Sequence, residues 1–98
     1  MLNPGWTAVV VNYNGAGYIE SCLAALQRTR PAPAEVVVVD NASTDDSLQE
    51  LHGFPRAIVQ AQPRNRGFAG GANAGIASVE TEIALLMNPD VEVDEDFG

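Results

Sequence analysis

Four consecutive valines, Val36–Val39, followed at once by Asp40-Asn41-Ala42-Ser43-Thr44-Asp45-Asp46, set the tightest limit on what this chain can fold into. A β-branched side chain loses rotamer freedom in a helix and packs well on a pleated sheet. Without any polar alternation, the run suits a central strand covered on both faces. It is far too short for the roughly 20 apolar residues of a membrane helix. Its abrupt end delivers a carboxylate, an amide and two hydroxyls to one edge of a sheet. In open parallel sheets that carboxyl edge is where ligands bind.

The remaining segments repeat the theme. Thr7–Asn12 (TAVVVN) reads as a buried strand ending in the turn residues Asn12-Tyr13-Asn14-Gly15. A helix is predicted from about Gly17 to Thr29, with Ile19, Cys22, Leu23 and Leu26 on one stripe. Cys22 lies in that stripe and reads as a packed thiol. Pro31 and Pro33 end the helix. Glu35–Asp40 forms the second strand. Ser43 or Thr44 is expected to cap a helix reaching about His52, with Asp45 and Asp46 in its first turn and Gly53 just past its end. His52 at that terminus reads as serving the helix dipole.

A short strand is predicted over about Ala57–Gln60, then a loop, then a helix from Phe68 to Val79 with Phe68, Ala72, Ile76 and Val79 on one face. Gly67, Gly71 and Gly75 recur every four residues and let that helix lie close to a strand or a ligand. Ile83–Met87 is the fourth strand. Asn88-Pro89-Asp90 ends it, and Val91 and Val93 alternate with acids as in a short half-exposed strand.

Strands alternating with helices predict a three-layer α/β fold with a Rossmann-like parallel sheet. Parallel strands bring all four polar ends to one edge: Asn12-Tyr13-Asn14, Asp40-Asn41, Asn65-Arg66 and Asn88-Asp90. Asp40 reads either as an acceptor for a ribose hydroxyl or base N–H, or as a turn aspartate. Asn12 and Asn41 offer a base edge both donor and acceptor, or serve as Asx turns. Asn73 reads as a buried amide that needs partners. Asp90 is a hard oxygen ligand suited to Mg²⁺ or Mn²⁺, or part of an ordinary Asn-Pro-Asp turn.

At 98 residues and 46% hydrophobic, the chain is at most one domain and has enough apolar residues for a core. Thirteen acids against five arginines and no lysine give a formal charge of −8, which argues against a nucleic-acid partner. The acids crowd the segment after the valines and the C-terminus, as a solvated surface or as carboxylates holding a cation. The N-terminus has no basic-then-apolar leader, and no apolar run is long enough to span a membrane. With a single cysteine, these features lead to the expectation of a reducing, cytoplasmic setting.

Several motifs are absent. Gly15-Ala16-Gly17 opens a helix as a dinucleotide fingerprint does, but Glu20 stands where the third glycine belongs. There is no P-loop, no nucleophile elbow and no second cysteine for zinc.

VVVNYNG, VVVVDNASTDDS, NRGFAGGANAGI and LLMNPD, in this order and spacing, resemble the N-terminal half of family 2 glycosyltransferases of the GT-A fold. The likeness runs from about Thr7 to Asp94 and is similar above all to the rhamnosyltransferase-like branch. It implies a nucleoside-diphosphate-sugar donor and a glycan or lipid-linked acceptor. It also implies donor contacts from Asn12, Tyr13, Asn14, Asp40, Asn41, Asn65, Gly67, Asn73 and Asn88. Asp90 would hold the divalent metal that bridges the phosphates. Asn88 stands where such motifs carry an aspartate, leaving one carboxylate fewer. The implied reaction is inverting transfer, with rhamnose the sugar the branch suggests. No residue here corresponds to the general base, which is expected beyond Gly98. Residues 1–98 are therefore expected to be the donor-binding half of the domain, inactive alone. Two other readings stand beside this one: half of a dinucleotide-binding oxidoreductase, and a non-catalytic flavodoxin-like interaction module.

Overall fold

The computed structural model describes residues 3–88. Pro89, Asp90, Val91 and Val93 lie outside the described residues, and with them the expected metal ligand and fifth strand. The elements run β1 (Asn3–Asn12), α1 (Tyr18–Arg28), β2 (Glu35–Asp40), α2 (Ser47–Glu50) with a 3-10 turn (Leu51–Gly53), β3 (Ile58–Ala61), α3 (Gly67–Ile76) and β4 (Thr81–Met87). The strands form one sheet in the order β3-β2-β1-β4, and every pairing is parallel.

The predicted α/β alternation is the observed one, and the valine run is β2, one of the two central strands. Alternate valines serve opposite faces, as the pleat requires. Val10 and Val38 pack with Ile19, Cys22, Leu23 and Leu26 of α1, and Trp6, Ala8, Leu51 and Met87 complete that cluster. Val9, Val37 and Val39 form the other cluster, with Ala74 and Val79 against it. Two helices thus sandwich the sheet. Cys22 is buried as expected, and burial pushes its thiol up to about 11, so it is a packing group. Thr7 of β1 and Thr81 of β4 join their hydroxyls at 2.7 Å, and Thr81 donates in turn to the Ile83 carbonyl.

Two predicted helices differ from what forms. Ser43 and Thr44 do not cap α2. The cap position is Asp46 and the helix is only one turn long before it tightens into the 3-10 turn. The segment before it is committed elsewhere: Ser43 to Asp40, and Thr44 to Asn14. Gly53 is the last residue of the 3-10 turn, with no left-handed backbone.

The sheet-facing side of α3 is also different. Phe68 and Ile76 are 44% and 43% exposed, while Gly71, Ala72 and Gly75 are buried. A methyl group at Gly75 would collide with Val9 Cγ1, and one at Gly71 would lie 2.6 Å from Val11 Cγ1. The glycines bring the helix backbone onto β1 and β2, too close for a large side chain between them. Gly67 has a different role: it opens α3 at φ 74°, with open space around it.

Candidate functional site at the carboxyl edge of the sheet

Parallel pairing aligns Asn12 with Asp40 and Asp40 with Ala61, while Val10 aligns with Met87. The ends of β1, β2 and β4, with Asn88 following, therefore share one edge. Asn12, Asp40 and Asn41 are buried there, Tyr13 is 51% exposed, and Asn14 and Asn88 are exposed.

The polar groups of this edge form two locks. In the first, the Asn12 amide Nδ2 donates to Asp40 Oδ1 at 2.8 Å and to Ser43 Oγ at 3.2 Å. Ser43 Oγ donates to the same Asp40 oxygen at 2.7 Å, and the Ser43 N–H donates to Asp40 Oδ2 at 2.9 Å. The backbone N–H of Asn14 donates to Ser43 Oγ at 2.9 Å, and Asn14 Oδ1 accepts from the Thr44 N–H at 2.7 Å. Asp40 is thus a buried carboxylate supplied with donors by its own chain, the turn role that its position left open. The Asn12 amide spends its N–H donors on that carboxylate and on Ser43 Oγ. Its Oδ1 is buried without a partner among the described residues; turning the amide over would set this oxygen against Asp40.

The second lock ties β2 to α3. Asn41 Nδ2 donates to the Gly67 carbonyl at 3.0 Å, and Asn65 Oδ1 accepts from the Gly67 N–H at 2.7 Å. Asn41, Asn65 and Gly67 are therefore brought together as a group. Asn73 is not part of it: the residue expected as a buried amide is exposed on α3, because the face turned to the sheet is that of Gly71, Ala72 and Gly75.

The acids after β2 act on α1. Asp45 Oδ2 accepts from the Ala16 N–H at 3.0 Å, and both Glu50 oxygens accept from the Gly17 N–H at 2.9 and 3.0 Å. The unpaired N–H groups of a helix start attract carboxylates. Here they come from another part of the chain, since Gly17, at φ 87°, has no side chain to cap with. The Ser47 side-chain bond, together with backbone N–H groups, holds Asp45 below the usual aspartate range. The Gly15–Gly17 turn is thereby occupied by carboxylates, and a phosphate placed there would be repelled. This removes the support for a dinucleotide site.

For the same reason the first acidic cluster does not offer a seat for a cation. Asp40, Asp45 and Glu50 are engaged with N–H and O–H donors. Among the described residues no group of three His, Cys, Asp or Glu side chains could hold a metal ion. Asn88 alone represents the expected metal motif there. A groove of about 560 Å³ lined by Leu23, Leu26, Val36 and Phe54 lies at the start of β2, the opposite end of the sheet.

Sequence reasoning missed Ser43, Asp45 and Glu50. A signal for Ser43 was present: an aspartate three residues before a serine is the spacing of a side-chain-to-backbone turn. Nothing local links Asp45 or Glu50 to Ala16 and Gly17, about 30 residues earlier in the chain.

A parallel sheet between helices, with its polar strand ends on one edge, defines a nucleotide-binding type of α/β fold. Solved structures of GT-A glycosyltransferases share it. S. aureus TarS 1-349 in complex with UDP matches with a TM-score of 0.84 and 27% identity, covering 94% of this chain and 29% of that one. The mannosyltransferase PcManGT from Pyrobaculum calidifontis, in complex with GDP-Man and Mn²⁺, matches with a TM-score of 0.77 and 30% identity, covering 87% and 27%. Among curated proteins, the N-acetylglucosaminyl-diphospho-decaprenol L-rhamnosyltransferase of Mycobacterium tuberculosis is 37% identical over 79 residues, 80% of this chain and 24% of its own length. Residues 7–97 match glycosyl transferase family 2, and the chain belongs to that family. It spans between 13% and 29% of the length of the curated relatives it matches. Among the described residues no helix is long and apolar enough to cross a membrane.

Proposed function

We propose that this chain is the donor-binding half of a glycosyltransferase, and that its carboxyl edge takes up the nucleoside diphosphate of an activated sugar. The observation that carries the reading is the alignment of Asn12, Asp40 and the segment leading to Asn88 on one edge of three parallel strands. Tyr13 stands half exposed beside them. An exposed ring next to a rigid polar turn is suited to a base face. Neighbours of the same fold that hold UDP or GDP-Man support the assignment.

In this reading Tyr13 and Asn14 line the base side, and Asn41, Asn65 and Gly67 fix the loop that borders it. Asn88 meets the ribose or the diphosphate. Asn12 and Asp40 hold the floor beneath them, and Asn73 stays at the rim. Asp90 is the proposed metal ligand, since the carboxylates after β2 are already engaged. A divalent cation bound there would neutralise the diphosphate as it leaves. The reaction we propose is inverting transfer to a glycan or lipid-linked hydroxyl. Rhamnose is the proposed sugar, supported by the rhamnosyltransferases among the relatives. No residue of this chain is assigned as the general base.

Titration calorimetry of the chain with UDP, GDP and dTDP, each with Mn²⁺, against NAD tests the reading. Uptake of one diphosphate and not of NAD is the expected outcome. Binding of none, or of NAD alone, overturns it.

A further inference from the structure

We infer that Ser43 is a positioning residue of this edge: its hydroxyl sets the place of Tyr13 by clamping the residues on either side of it. The inference rests on the donor-binding reading above. A serine hydroxyl has one proton and two lone pairs. Here the proton goes to Asp40 Oδ1 at 2.7 Å. The lone pairs take the Asn14 N–H at 2.9 Å and Asn12 Nδ2 at 3.2 Å. Its capacity is full, so Ser43 has nothing left for a ligand and acts through what it holds.

What it holds is the turn after β1. Asn12 and Asn14 flank Tyr13, and both donate to this one oxygen. Asn14 has a left-handed backbone at φ 51°, a conformation uncommon outside glycine. Bonds to Ser43 and Thr44 on both its main chain and its side chain keep it there. The ring of Tyr13 is thus carried by a turn that the β2 loop fastens from the side. The same hydroxyl ties that turn to the buried Asp40 carboxylate, so the β1 and β2 ends move as one unit.

The test compares Ser43→Ala and Ser43→Thr in the full 98-residue chain. Affinity for the nucleoside diphosphate bound by the wild type, with Mn²⁺, is measured where each variant is fully folded. Hydrogen exchange of the Asn14 amide is measured without nucleotide. Losing the hydroxyl is expected to weaken affinity about tenfold and to speed Asn14 exchange at least about tenfold, the scale of one lost hydrogen bond. Ser43→Thr keeps the hydroxyl and is expected to restore both to within about twofold. A folded Ser43→Ala variant that binds like the wild type overturns the proposal, as does a threonine variant no better than alanine. Should the alanine variant not fold, Ser43→Cys carries the same expectation in weaker form, and wild-type affinity there overturns it. A wild type that binds no diphosphate is a different result: it overturns the donor reading and, with it, this inference.

Discussion

Asn12 and Asp40 are register partners at the ends of β1 and β2, and their side chains meet at 2.8 Å with both residues 0% exposed. A buried carboxylate is costly unless donors surround it. Removing the amide in Asn12→Ala takes away one donor and leaves those of Ser43. A loss of about 1–3 kcal/mol in urea-unfolding stability is expected. Asn12→Asp would place two carboxylates against each other, where only one can ionise. Its folded-state affinity for a proton is raised. The variant is therefore most stable in acid and loses stability as pH rises through that raised value, which a series of melting curves would follow.

Asp45 gives the opposite sign. Its carboxyl is held below the usual range, chiefly by Ser47 and then by the N–H groups of Ala16 and Ser47. A depressed folded-state value means that the contribution is present above the unfolded value, near 4. It is lost as pH falls through the lower folded one. Asp45 is exposed, so the effect is modest. The melting difference between wild type and Asp45→Asn should be constant near neutrality and shrink only in acid. A difference that persists unchanged into acid would rule out the charged bonds to Ala16 and Ser47 as its source.

How far the sequence can be read differs from element to element. Glu35–Asp40 was legible to the residue, because a valine run ending in aspartate leaves a strand few other options. The shared polar edge followed from the alternation of strands and helices alone. The orientation of α3 followed only in part: the glycine spacing predicted a close approach to a strand, which Gly71 and Gly75 make, but Phe68 and Ile76 of the expected apolar face are exposed. Phe68 and Ile76 carry the hydrophobic periodicity, yet Gly71 and Gly75 meet the sheet. Periodicity weighs side-chain apolarity, whereas here close backbone approach decides the packing. Asn73 was misplaced for the same reason. The start of α2 was placed too early because the Ser43 and Thr44 hydroxyls that favour a local cap are engaged with Asn14, about 30 residues away along the chain.

Close approach of α3 makes a direct prediction for Gly75. Its missing side chain leaves room for Val9 Cγ1, and Val39 Cγ2 would be 3.0 Å from an added methyl. Both valines belong to the fully buried cluster under the helix. Gly75→Ala would gain helix propensity of roughly 1 kcal/mol on an exposed helix. Overpacking costs about 1–3 kcal/mol and is expected to win. Urea unfolding should show a net loss. An alanine at Gly53, where nothing lies within 4 Å and φ is not positive, should cause no comparable loss.

Ala42 carries the sharpest backbone prediction at the candidate site. It sits at φ 60° between Asn41, which reaches to Gly67, and Ser43, which reaches back to Asp40 and Asn12. Its left-handed backbone stands between neighbours that point to different elements, and for alanine that conformation costs about 1–2 kcal/mol. Ala42→Gly removes the steric cost but gives the unfolded chain more freedom, worth about 0.4–1 kcal/mol. The balance is a stability equal to wild type or up to about 1.6 kcal/mol above it. Ala42→Val places a branched carbon in the same region, where β-branched residues are outliers, and should destabilise by more than about 1 kcal/mol. Chemical unfolding of the pair checks the order Gly ≥ Ala > Val. A valine variant as stable as wild type would mean that the loop does not need its left-handed residue, and that the two locks can form independently.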